Sequence, residues 1–184
     1  MVNFPGSVIE KTDISGKQFL DGMFNGVSGL VMSQICELTG LNTPAVQNWI
    51  NRGWLSRPVK KKYNEDQVAR ILIINTLRET MSLENVYGLL YYVNGITDDA
   101  DDDIVSETEL YGYICDITFS DATDGTIDGT IDGIVKDFKE RRAGDALRLK
   151  TALKIVYLSG VAERYLSAAA KMLEEIHKNA DNVR

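Results

Sequence analysis

Five cations and no acid stand between Asn42 and Tyr63: Arg52, Arg57, Lys60, Lys61 and Lys62. Such a run can neutralise phosphates at short range even on a chain of net charge −7, because salt screens the rest of the field over roughly 8 to 10 Å. Within the same stretch, Thr43, Gln47, Asn48 and Asn51 supply hydroxyl and amide groups suited to base edges or phosphates. The chemistry on offer is recognition by fixed charge and hydrogen bonds, with neither a nucleophile nor a general base. Composition alone also allows a plainer reading, in which the lysines solubilise a turn and the asparagines are ordinary surface.

Covalent chemistry finds little support elsewhere. His177, the single histidine, lies between Ile176 and Lys178 near the C-terminus, where a solvated helix end is expected rather than a general base. Cys36 and Cys115 are isolated, so neither a disulfide framework nor a zinc site is expected, and both read as buried thiols. The aspartates at 98, 99 and 101–103 lack the glycine and distal glutamate of a calcium-binding loop. No phosphate-binding glycine motif follows a strand. The expectation is a protein that is not an enzyme and carries no cofactor and no metal.

The elements that must position the recognition groups can be read from spacing. Ile35 and Leu38 face inward on a short helix that ends at Gly40. Asn42 or Thr43 then caps a second short helix with Pro44 in its first turn and Val46, Trp49 and Ile50 on one side. That pairing turns Thr43, Gln47, Asn48 and Asn51 outward and has the outline of a helix-turn-helix. Val68, Ile71, Leu72, Ile74 and Leu77 predict an amphipathic helix over 64–80, with Arg70, Asn75 and Arg78 between the apolar positions. Ser82 offers a cap for another, which Asn94-Gly95 stops. A broad apolar face from Leu149 to Ile176 predicts a long helix over 145–178, wide enough for a bundle core and a subunit contact.

Two stretches read as connectors or weak helix. The aspartate cluster over 97–103 predicts a solvated linker and a domain boundary. The tandem Asp124-Gly125-Thr126-Ile127-Asp128-Gly129-Thr130-Ile131-Asp132-Gly133 predicts a helix that stands only when packed, with its glycine row permitting close helix approach; a loop is the alternative. The resulting division is an arm or short helix over 1–27, a recognition domain over 28–95 and a helical domain over 96–184. The start lacks the basic and apolar regions of an export signal, and no run nears the roughly 18 to 20 apolar residues that span a bilayer, so a cytoplasmic protein is expected.

The order of these signals resembles the N-terminal domain of MerR-type regulators. The likeness runs through Ser33-Gln34-Ile35-Cys36-Glu37-Leu38-Thr39-Gly40-Leu41, Ala45 to Leu55, Tyr63 to Ile71 and Met81-Ser82-Leu83-Glu84-Asn85-Val86. Pro58-Val59-Lys60-Lys61-Lys62-Tyr63 ahead of the long helix is also similar to an uncharacterised family of small bacterial proteins with a MerR-like domain. The resemblance implies a mainly α fold, all-α apart from a small wing, with a winged helix-turn-helix followed by a C-terminal helical bundle. It implies that Thr43, Gln47, Asn48 and Asn51 lie on a recognition helix ending at Arg52, and that Arg57, Lys60, Lys61, Lys62 and Tyr63 form a wing that grips phosphates. Trp49 takes the place of a family tyrosine that can touch the DNA backbone, or packs in the core. Gln47 stands where the family usually carries arginine, and the wing has no glycine at its tip.

Taken together, these features predict a transcriptional regulator that binds duplex DNA in the major groove as a homodimer. The alternative is a protein-interaction module on the same fold, using the recognition face or the acidic C-terminal half.

Overall fold

The computed structural model describes residues 2–97, 101–120 and 126–181, and it is all-α. The helices run in the order α1 (Gly16–Phe24), α2 (Met32–Thr39), α3 (Thr43–Asn51), α4 (Glu65–Leu77), α5 (Leu83–Asn94), α6 (Glu107–Phe119), α7 (Ile127–Ile134) and α8 (Asp145–Asp181). Asp98, Asp99, Asp124 and Gly125, used in the sequence reading, lie outside the described residues.

Side-chain caps fix most helix starts. Ser15, Asn42, Asn64, Ser82, Ser106 and Thr126 each accept a backbone N–H from the first turn, a bond worth about 1 kcal/mol apiece. Gln18, Gln67 and Glu109 reach back to close reciprocal capping boxes. The box at Ser106-x-x-Glu109 opens α6, a helix that the apolar spacing of the sequence did not reveal.

α4 is the central element, and here the amphipathic expectation is corrected. Gln67 to Asn75 are buried without interruption, including Arg70 and Asn75, which the spacing had set between the apolar positions of a surface helix. α4 packs on α6, α5, α1 and α2, so a helix ringed by neighbours has no solvent face for its polar residues. They are satisfied internally instead. Asn75 Nδ2 donates to Gly6 O (2.8 Å) and Thr39 O (3.0 Å), and Arg70 is ion-paired with Glu107.

The arm is part of the core. Phe4 stacks on Phe19 at 4.0 Å, and the Tyr111 hydroxyl donates to Pro5 O at 2.9 Å. One hydrophobic cluster runs from Phe4 through α4 and α6 to Val156 on α8, crossing the divisions at 27/28 and 95/96. Cys115 lies within it, whereas Cys36 is only partly buried, which corrects the expectation of two buried thiols.

Three further expectations are amended. Asp102 is no mere solvated linker residue, since its Oδ2 accepts Ile96 N–H at 3.0 Å. α7 forms with Ile131 buried, but Gly129 and Gly133 are exposed and permit no close approach. In α8, Leu149, Ala152, Leu153 and Val156 are buried, whereas every described side chain from Ala162 to Lys178 is exposed. The whole helix is roughly 55 Å long at 1.5 Å per residue, and its second half projects beyond the core.

Candidate nucleic-acid interface

α2 and α3 are joined by Gly40-Leu41-Asn42, with Gly40 in the left-handed conformation that ends α2. Leu38 and Leu41 bury beside Val46, Trp49 and Ile50, and this settles Trp49 as a core residue. The apolar side of α3 being spent inward, Thr43, Gln47, Asn48 and Asn51 are all exposed. Thr43, Gln47 and Asn51 recur every four residues and form one row along the helix.

Beyond α3 the chain forms a tight hairpin. Val59 and Lys62 exchange both backbone hydrogen bonds (3.1 and 2.9 Å), leaving Lys60 and Lys61 as the two loop residues. Both have positive φ, 51° and 64°, as a type I′ turn demands, a geometry for which asparagine and glycine are the usual residues. They are the only non-glycine residues with positive φ among those described. The missing glycine therefore does not abolish the tip; two lysines adopt its conformation and hold their side chains in solvent.

The hairpin is anchored at its base. Leu30 and Tyr63 exchange backbone bonds of 2.9 and 2.8 Å, clipping it to the strand-like residue before α2. Gly29 permits that approach, because its φ is +153° and a Cβ there would lie 2.8 Å from Tyr63 O. Lys62 Nζ donates to Ser28 Oγ at 3.1 Å.

Tyr63 is corrected from phosphate ligand to core residue. It is 1% exposed, its hydroxyl has no hydrogen-bond partner, and burial, then the neighbouring Cys36, pushes its phenol above the ordinary tyrosine value. The physical reason is the backbone clip, which turns the ring of the residue following Lys62 inward. Arg57, Lys60, Lys61 and Lys62 remain exposed. Arg52 is exposed but engaged: its guanidinium lies over the Trp54 ring at 4.8 Å and pairs with Glu84 of α5 at 3.2 Å.

Other residues position this face without belonging to it. Gln67 Nε2 donates to Ser56 Oγ (2.7 Å), Ser56 O (3.3 Å) and Arg57 O (3.0 Å). Arg70 Nε donates to Trp54 O (2.7 Å), and Thr97 Oγ1 to Gly53 O (2.9 Å). Residues 53–57, which link α3 to the hairpin, are thus held by three side chains from outside the basic stretch. The sequence reading missed all three, together with Glu84; only Gln67 had a legible signature, three residues after the Asn64 cap.

No group of three or more His, Cys, Asp or Glu side chains among the described residues is placed to hold a metal ion. No helix among them is long and apolar enough to cross a membrane. The molecule is an all-helical body bearing an exposed polar row on α3 and a lysine-tipped hairpin. The chain belongs to the family described as Domain of unknown function (DUF1836), whose model matches residues 18–114, from α1 into α6. It is also similar to the uncharacterized protein YkrK of Bacillus subtilis (strain 168), 24% identical over 160 residues that cover 79% of this chain and 69% of YkrK. No solved structure matches.

Proposed function

We propose that the protein binds duplex DNA as a transcriptional regulator, with no enzymatic activity of its own. α3 would enter the major groove as the recognition helix of a MerR-like winged helix-turn-helix, presenting Thr43, Gln47, Asn48 and Asn51 to base edges. The hairpin would serve as the wing, with Arg57, Lys60, Lys61 and Lys62 fixing register on phosphates. The observation that carries this reading is the hairpin tip: two adjacent lysines in a conformation that disfavours them by roughly 1–2 kcal/mol each. Strain of that kind is retained where the side chains it displays are used. Gln47, Asn48 and Lys61 are exposed rather than packed on the C-terminal helices, which favours nucleic acid over internal docking of the face.

A homodimer is part of the proposal, because one such module makes few contacts and two half-sites multiply them. Leu158, Ala162, Tyr165, Ala169, Met172 and Ile176 alternate at spacings of four and three along α8, the pattern of a coiled-coil seam. Leu158, Tyr165, Met172 and Ile176 are more than half exposed.

Fluorescence anisotropy against pooled genomic fragments at moderate salt tests the DNA reading. Binding that weakens with salt, and weakens further when Lys60, Lys61 and Lys62 become alanine, is expected. Absence of salt-sensitive binding, with no effect of the triple substitution, would falsify it.

A further inference from the structure

Behind the 53–57 link lies a cavity of about 340 Å³ walled by α4, the start of α6, Thr97, Asp103 and Arg141, at the small end of ligand-binding pockets. Its charged lining is Asp66, Asp103 and Glu107 against Arg70 and Arg141, a surplus of one negative charge (3 − 2 = 1). Arg70 is already committed to Glu107, Trp54 O and Thr97 Oγ1. Asp66 Oδ1 accepts from Thr108 N–H (3.0 Å) and Oγ1 (2.7 Å).

Two observations mark the surplus as unmet. Glu107 is 7% exposed; its Oε1 receives Arg70 and Asn94, while its Oε2 is buried with no hydrogen-bond partner. An orphaned carboxylate oxygen in such a place is costly unless a donor reaches it. Burial, then the charges of Glu107 and Asp102, also pushes the Asp103 carboxyl up to about 6, with Arg70 opposing the shift only in part.

We propose that this cavity binds a small organic monocation bearing a primary ammonium or guanidinium group, held by Asp103 and Glu107, and that its occupancy stiffens the 53–57 link. A monocation cancels the surplus, and its several N–H donors match acceptors spread over two elements. The coupling is built from contacts already present, since Gln67, Arg70 and Thr97 line the cavity and hold residues 53–57. As control over DNA binding the inference rests on the reading above; the ligand titration uses no DNA, so the two fail separately.

Titration calorimetry of the full chain with n-butylguanidinium and n-butylammonium is the direct test, with n-butylurea as the neutral control. Saturable binding of a cation is expected, about tenfold weaker in Asp103→Asn, with slowed hydrogen exchange at amides 53–62. Glu107→Gln, which keeps an acceptor for Arg70, supplies a second variant with the same expected loss. Equal binding of n-butylurea, preferential binding of inorganic phosphate, no saturable binding, or full affinity in a folded Asp103→Asn would each overturn the proposal.

Discussion

Replacing the hairpin tip by the residues its geometry favours, Lys60→Asn with Lys61→Gly, should stabilise the fold while weakening DNA binding. Both lysines sit in the left-handed region, at φ 51° and 64°, and each loses about 1 kcal/mol there, the lower end of the range for that conformation, relative to a residue that accepts it. Asparagine and glycine recover most of that sum, less roughly 0.5–1 kcal/mol for the freedom glycine adds to the unfolded chain. The net gain is about 1 kcal/mol, or some 2–4 °C in Tm for a chain of this size. Among the described residues, Lys60 and Lys61 make no hydrogen bond or ion pair that the change would break, so little offsets the gain. DNA affinity should move the other way. The slope of log affinity against log salt should fall by about 0.9 per lost phosphate contact, hence by roughly 2 for both lysines. Thermal unfolding and salt-dependent anisotropy on the same preparation measure the two effects. An unchanged or lowered Tm refutes the strain reasoning, and an unchanged salt slope refutes the phosphate contacts.

Three other outcomes follow from particular contacts. Glu107→Ala leaves Arg70 as an uncompensated buried cation and should destabilise by about 3–5 kcal/mol; a denaturation midpoint within error of wild type would show that the pair contributes nothing. Tyr165→Glu with Met172→Glu places charges on the exposed seam of α8, so light scattering should report a monomer with Tm of the body little altered, and a persistent dimer would place the contact elsewhere. For Asp103, folding raises the carboxyl from roughly 3.9 to about 6. Its protonated form is therefore the one the fold favours: that contribution is complete below about pH 4 and is lost as pH rises toward 6. Asp103→Asn, neutral at every pH, should then raise the midpoint at pH 7.5 and match wild type near pH 4, and equal midpoints at pH 7.5 would contradict the assignment.

Local rules made a large part of this molecule legible. Asn42, Pro44 and the spacing of Val46, Trp49 and Ile50 define α3 and the outward row at Thr43, Gln47, Asn48 and Asn51, because capping and a 3.6-residue period are properties of neighbours in sequence. Ser82 and Asn94-Gly95 bound α5 for the same reason. The concentration of cations between residues 52 and 62 is likewise visible without a structure, and Gln47 and the glycine-free tip were visible as departures from the resemblance.

What lay beyond the sequence depended on which faces meet. The pattern of α4 is compatible with one buried stripe; only its enclosure by α1, α2, α5 and α6 buries Arg70 and Asn75 and turns them into anchors for Trp54, Gly6 and Thr39. Tyr63 followed the lysines in sequence and was assigned their role, but its pairing with Leu30, 33 residues away (63 − 30 = 33), points the ring inward. Glu84 approaches Arg52, and Glu107 approaches Arg70, across 32 and 37 residues. Sequence by itself determined α2 to α5, the first half of α8, the caps at Asn42, Asn64 and Ser82 and the exposed donors of α3, since these arise from short-range backbone and side-chain preferences. Tertiary structure alone decided which polar residues are buried, how the hairpin is aimed and where a cavity opens behind it, because burial and electrostatic pairing are set by distances between segments that the chain order does not encode.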